Sequence, residues 1–334
     1  MNPKNGESFV TTIDYLDFAE FVDRAQFVLS DDQITLASQL KFVRNILHAA
    51  RGARALILDN ASNKLHPDIL TAICIGFWKK SRRPMVLMMG DMWHKDKGLW
   101  GVVQKLLLRL ADRSIFRYTP LSTEEFPLFA AAWGIPKTKL RFLPYFYTFT
   151  EKDLSAPAPA QADFIFAGGN AHRDYPALIK AIEALPEYQF VIASHLLDGK
   201  KLPSNLRAGQ VPRTEFISLM RAARAVVTPI KKNLARSTGH QTYLNAMFLE
   251  KPSIITNTLG VREYTNNGEL AILVDGTPEG FVQAVRKVTD PTNQAQIQAM
   301  CKSAHELVAR EFSFESHCHR LLEILDEAVA DYYS

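Results

Sequence analysis

Two stretches of the chain carry residue types and spacings suited to holding an anion. In the first, Lys231, Lys232 and Arg236 run into Ser237-Thr238-Gly239, which opens a helical pattern beginning His240-Gln241-Thr242 and continuing through Asn245. A helix N-terminus presents N–H groups without intrahelical partners and the positive end of the helix dipole, so a basic loop feeding one is suited to phosphate. In the second, an apolar strand ends in Gly168-Gly169-Asn170 and is followed by His172-Arg173-Asp174 and another helical pattern. Glycines there permit close backbone approach, and Arg173 adds charge at the helix entry. Taken singly, the two stretches also read as a solvated basic turn and an ordinary strand-to-helix turn. Together they point to a diphosphate, and hence to a nucleotide. Neither is a G-x-G-x-x-G fingerprint, which argues against a nicotinamide enzyme.

A third motif, Gly90-Asp91-Met92-Trp93-His94, closes the apolar run 85–89. Asp91 or His94 at the end of a strand is placed to take a proton from an acceptor hydroxyl, with Asp91 as a turn cap the competing reading. Asp59-Asn60, after another strand, is a weaker version of the same pattern. His317-Cys318-His319 resembles a metal cluster, but neighbouring residues on a helix point about 100° apart, so the reading is structural. With no cluster of carboxylates evident, no metal site is expected.

Charge is uneven. The net charge is +4, yet between Lys79 and Arg117 ten Lys/Arg face three Asp/Glu, a local +7. Within that region the run 99–111 is amphipathic, with Lys105 and Arg109 on one face and Trp100 near its start. Such a helix either covers a sheet with one solvated face or lies on a membrane interface. An anionic membrane surface is therefore an expected partner. Sparse aromatic interleaving disfavours nucleic acid.

The elements that must position these residues alternate. In the first half, strand-length apolar runs at 26–29, 55–59, 85–89, 114–118 and 140–143 are separated by helical patterns at 33–50, 67–80, 99–111 and 123–133. The alternation restarts after residue 162 with strands at 164–167, 189–193, 225–229, 253–256 and 270–274 and helices at 175–185, 214–223, 240–249 and 279–288. That order predicts an α/β protein built from two tandem Rossmann-like, doubly wound domains facing a cleft, with ligands at the carboxyl ends of the strands. The Pro-Ala-rich stretch 150–162 reads as an extended connector between a first domain over 1–149 and a second over 163–312. A last helix over 313–334 is free to pack back on the first domain. The 334 residues, 47% hydrophobic, suffice for two such cores. Three scattered cysteines suggest neither disulfides nor zinc, the N-terminus lacks a signal-peptide pattern, and no run nears the roughly 20 apolar residues needed to span a bilayer. The expected location is the cytoplasm.

The order of motifs resembles the GT-B glycosyltransferases, specifically those like glycosyltransferase family 4. The resemblance rests on PEYQFVIAS, EFISLMRAARAVVTP, GHQTYLNAM, EKPSIITNTLGVREYTNNGELAILVD and FSFESHCHRLLEIL, with RPMVLMMGD, LADRSIFRYTPLSTEEF and GIPKTKLRFLPYF in the first half. It implies transfer of a sugar from a nucleotide-diphosphate sugar on the second domain to a glycan or lipid-linked acceptor on the first. No other cofactor is implied. Arg173 falls where the family has a diphosphate-binding lysine, and Gly239, His240, Gln241 and Thr242 fall where backbone amides cradle the diphosphate. Ser237 and Asn245 fall on the family's two glutamates, which contact the sugar and the ribose, so both signature carboxylates are replaced. Gly169 stands where the family has an arginine, leaving Lys231, Lys232 or Arg236 to supply the second cation. The family's acceptor-side histidine appears as Gly90, beside Asp91. The resemblance further implies metal-independent hexosyl transfer at the inner membrane face, in bacterial cell-surface polysaccharide synthesis. Loss of both glutamates leaves a second expectation, a non-catalytic nucleotide- or glycan-binding partner subunit.

Overall fold

The computed structural model describes residues 8–30, 35–59, 66–90, 95–155 and 160–334. The chain divides into two compact units, one comprising Met1–Leu143 with Cys318–Ser334 and the other Pro144–His317. Each is built on one wholly parallel sheet.

In the first unit β1 (Phe9–Thr11), β2 (Ala25–Phe27), β3 (Ala55–Leu58), β4 (Met85–Gly90) and β5 (Ile115–Pro120) lie in the order β2-β1-β3-β4-β5. The strand β3 is buried at all four residues, as expected for parallel strands covered by helices on both faces. One face packs Val10, Leu56, Val86 and Met88 on helices that include Leu36–Ala50 and Pro67–Gly76. The other packs Phe9, Ile57 and Leu87 on Phe21 and on Leu321, Leu325 and Ala328 of the last helix, Phe314–Tyr333. Arg24 and Asp326 form a forked ion pair on the same side.

In the second unit β6 (Phe164–Gly168), β7 (Gln189–Ala193), β8 (Leu206–Gly209), β9 (Ala225–Thr228), β10 (Ser253–Thr256) and β11 (Ile272–Val274) lie in the order β11-β10-β9-β6-β7-β8. Each sheet therefore has its first strand inside, with the chain winding outward on both sides. The order reverses between β1 and β3 in the first sheet and between β6 and β9 in the second.

Four details differ from the sequence reading. The strand β1 has no counterpart in it: three residues are too few for a periodic signal, yet this strand sits between β2 and β3. The strand β8, an edge strand, escapes it for the same reason. No strand forms at 140–143. Leu140 bridges Tyr118, and Arg141 and Leu143 donate to the Tyr118 and Pro120 carbonyls, but the next donor in that series, Tyr145 N–H, goes to Tyr264 Oη at 3.0 Å. Finally, the stretch expected to be an extended connector opens with a helical turn, Glu151–Ser155, started by Thr150 and Asp153. The break between units lies earlier, at Leu143, because the backbone just after it is bound into the second unit. Tyr147 N–H donates to Phe312 O at 2.9 Å, and Thr148 N–H donates to Asn245 Oδ1 at 2.7 Å.

Candidate functional site

The two anion-suited turns follow β6 and β9, the strands that flank the reversal point of the second sheet, where open α/β sheets bind ligands. They are fastened together. Asp174 N–H donates to Pro229 O and Lys231 N–H to His172 O, both at 2.9 Å, and Arg173 and Ile230 form an antiparallel bridge. The helix Tyr175–Glu183 is capped by the Asp174 side chain, which accepts from Ala177 N–H. The helix His240–Phe248 has no side-chain cap, and the residue before it is Gly239. In this second helix the Thr242 and Tyr243 N–H groups both donate to Gly239 O, at 2.9 and 3.2 Å.

Arg173 is the centre of the arrangement. It is 6% exposed, and its Nε donates to Gly168 O at 3.0 Å, Nη1 to Ala171 O at 2.9 Å and Nη2 to Thr242 Oγ1 at 2.8 Å. Among the described residues no carboxylate pairs with it. Burial lowers its pKa, with Tyr175 and Tyr243 acting in the opposite sense, but a guanidinium stays charged. A desolvated cation without a counter-charge costs several kcal/mol unless hydrogen bonds and an anion offset it. Here two carbonyls and a hydroxyl supply the hydrogen bonds.

The glycines make room for side chains of the protein itself. A Cβ at Gly169 would lie 2.7 Å from Arg173 Nη2, and one at Gly168 would lie 2.4 Å from the Phe216 ring. Gly169 makes room for the guanidinium and Gly168 for an aromatic ring. Gly239 is required twice over. Its φ is +89°, and a Cβ there would meet Ile230 Cδ1 at 2.8 Å.

His240 is 4% exposed with Nε2 unpartnered, and its pKa falls to about 3 through burial first, then through Arg173 and Arg236. It is neutral at ordinary pH, with its ring against Tyr264 at 4.7 Å between centroids. Around it, Ser237 and Thr242 are buried, Arg236 is half-buried, and Lys231, Lys232 and Gln241 are exposed. Asn245 is turned elsewhere. Its Oδ1 accepts from Thr148 N–H, and its Nδ2 donates to Thr148 Oγ1 at 3.1 Å, where Gln241 Nε2 also donates at 3.0 Å. The amide at the position of the family's second glutamate is thus a clasp on the segment 144–149.

In the first unit Asp91 and His94 lie outside the described residues. The described residues at the carboxyl ends of β1 and β3 hold a group that the sequence reading missed. Thr12 Oγ1 accepts from Asp59 N–H at 2.7 Å and donates to Asp68 Oδ1 at 2.9 Å. Asp68 is 2% exposed, and burial pushes its pKa up to about 7, against the Thr12 hydrogen bond and with help from the Asp59 charge. The available signal was Pro67-Asp68 at a helix start, which reads as ordinary helix entry until the fold brings β1 beside it.

His317, Cys318 and His319 do not form a cluster. His317 Nδ1 bonds Pro144 O at 2.6 Å, whereas His319 faces Glu20 at 3.4 Å. Among the described residues no group of three or more His, Cys, Asp or Glu could hold a metal ion, and no helix is long and apolar enough to cross a membrane.

Residues 161–290 match the family model described as glycosyl transferases group 1. The matched segment carries the whole second sheet and both anion-suited turns. HepE of Anabaena, solved in complex with UDP, has 12% identity and a TM-score of 0.68, with 96% of this chain and 100% of that one covered. Sucrose-phosphate synthase of Thermosynechococcus elongatus has 14% identity and a TM-score of 0.66 over 92% and 84% of the chains. WaaG, a glycosyltransferase involved in lipopolysaccharide biosynthesis, has 13% identity and a TM-score of 0.57 over 90% and 87%. The fold is therefore the two-sheet GT-B architecture of these enzymes. No curated protein sequence matches the chain.

Proposed function

We propose that the chain is a glycosyltransferase that moves a hexose-type sugar from a nucleotide-diphosphate sugar to a glycan or lipid-linked acceptor. The observation that carries this is Arg173, a buried guanidinium that pairs with no carboxylate among the described residues, held at the sheet reversal beside the uncapped helix at Gly239. The diphosphate supplies the missing counter-charge, bound by Arg173 and by the amides that open the helix His240–Phe248, with Lys231, Lys232 or Arg236 adding a second cation. As the nucleoside diphosphate leaves, its growing charge meets fixed cations and N–H dipoles, which need no reorganisation and no metal ion. HepE, solved with UDP-glucose, supports a uridine donor. In this reading Asn245 serves as the clasp on Thr148 rather than as the ribose ligand. The acceptor is assigned to the first unit, with Asp91 or His94, which follow β4 in the sequence, and Asp68 as a further proton-handling group.

The pathway assigned is bacterial cell-surface polysaccharide synthesis, at the cytoplasmic face of the inner membrane. The helix Gly98–Ala111 supports contact with anionic lipid. Leu99 is 82% exposed and Trp100 60%, on the helix that also carries Lys105 and Arg109. Calorimetry with a panel of UDP- and GDP-sugars, with and without EDTA, tests the donor site. No binding by any donor, or unchanged binding by Arg173→Ala, would sink it.

A second reading, a non-catalytic partner subunit that binds the nucleotide without turnover, is favoured by the absence of a carboxylate at Ser237 and Asn245. Slow donor hydrolysis that Gly239→Trp abolishes would rule that reading out.

A further inference from the structure

At the amino ends of its strands, opposite the end where open sheets bind substrates, the first unit carries a groove of about 1460 Å³. Its walls are the segments that precede β3 and β4 together with the end of the last helix. Arg51, Lys79, Lys80 and Arg82 stand exposed along it, and among the described residues none of the four is in an ion pair or hydrogen-bonded through its side chain. Trp78 and Tyr332, both half-buried, supply aromatic surface between them. The floor is rigid. Arg83 donates to the carbonyls of Gly76, Trp78 and Arg113 at 2.7, 2.9 and 3.1 Å, and so ties the turn that bears the lysines to the end of the helix Pro67–Gly76.

We propose that this groove binds an anionic oligosaccharide, its carboxylate or phosphate groups on the four cations and its sugar rings on Trp78 and Tyr332. Three observations select that ligand. The space exceeds the ~300–1,000 Å³ of small-ligand pockets, so it fits an extended molecule. It is concave, whereas a lipid surface is flat. Exposed cations and aromatic rings lining one groove suit the charges and apolar ring faces of an acidic glycan. Choosing glycan over single-stranded nucleic acid, which also stacks on aromatic rings, rests on the reading that the second unit transfers sugars. The groove then retains the growing or acceptor glycan remote from the site of transfer.

The full chain and its Lys79→Glu/Lys80→Glu/Arg82→Glu variant would be titrated calorimetrically with oligogalacturonate, with uncharged malto-oligosaccharide of similar length, with a single-stranded DNA oligonucleotide and with phosphatidylglycerol vesicles. Oligogalacturonate should bind, weaken with added salt and lose at least tenfold in affinity in the variant, while the neutral oligosaccharide binds far less. UDP- and GDP-sugar affinity should be the same in both proteins. Absent oligogalacturonate binding, equal binding by the variant, or a variant defect confined to DNA or to vesicles would each overturn the proposal. Donor binding in the same preparation separates the two ideas. If donors bind and oligogalacturonate does not, only the groove falls; if the reverse holds, the groove stands and the transferase reading falls.

Discussion

At its reversal point the second sheet gathers a buried guanidinium, an uncapped helix N-terminus and a histidine held neutral. At its own reversal point the first sheet gathers Thr12, Asp59 and Asp68, with the last poised near pH 7. Both places follow from the same topology, a first strand inside a parallel sheet with the chain winding away on both sides. Their electrostatics are opposite. One is short of negative charge and the other is reluctant to carry it. A shared backbone plan therefore settles where a ligand can sit, and the side chains after each strand settle whether that ligand is an anion or a group that gives up a proton.

The strongest way to break the contrast is to remove the cation. Arg173→Ala should cost about 3 kcal/mol of nucleotide-diphosphate binding, on the order of a hundredfold in affinity. Arg173→Lys should recover only part of this, because an ammonium cannot reach Gly168 O, Ala171 O and Thr242 together. Calorimetry with UDP reads both. Equal affinity in all three proteins would remove the anion side of the comparison.

The next effect belongs to Asp68. Its folded pKa is above the unfolded 3.8, so its contribution to stability is complete below about pH 4 and is lost as pH rises through about 7. Asp68→Asn, which can still accept from Thr12, should therefore stabilise the protein at pH 8 by a few kcal/mol relative to wild type and do little at pH 4. Denaturant melts at the two pH values measure this, and the opposite ordering would show that Asp68 is ionised at no cost in the fold.

The histidines of the second unit have the opposite sign. His240 and His317, lowered to about 3 and about 4 by burial, contribute stability that is present above the unfolded value of 6.5 and lost as pH falls through the folded values. His240→Gln should flatten the acid limb of the stability curve by up to one proton, about 1.4 kcal/mol per pH unit. Peptide-resolved hydrogen exchange between pH 6.5 and 4 should show protection falling first in the second unit. Earlier loss in the first would reverse the comparison.

The smallest effect tests the clasp. Asn245→Ala removes the acceptor for Thr148 N–H and should cost about 1–2 kcal/mol of stability while UDP affinity changes less than threefold. A large loss of affinity at full stability would return Asn245 to the nucleotide.

Much of this was legible in the chain. Buried parallel strands such as β3 are short apolar runs, and helices such as Leu36–Ala50 and Pro278–Thr289 show a clear apolar face, so both sheets could be laid out with few errors. Arg173 and Gly239 were legible as types, a cation at a helix entry and a glycine before a helix. Partnership was not legible. Nothing local announces Phe216, the Arg173 guanidinium or Thr148 as the neighbours of Gly168, Gly169 and Asn245.

By itself the sequence determined the alternation of strands and helices, the two sheets, the basic loop before Gly239 and the match of residues 161–290 to a glycosyl transferase family model. These depend on periodicity and on residue type, which are local. Only the tertiary structure decided that Arg173 is buried with no carboxylate partner among the described residues, that β1 lies inside its sheet and brings Thr12 to Asp68, that Asn245 closes on Thr148 97 residues away, and that four exposed cations share a groove with Trp78 and Tyr332. Charge and hydrogen-bond capacity are written in each side chain, but whether they are spent inside the protein or left for a ligand depends on neighbours supplied by distant parts of the chain.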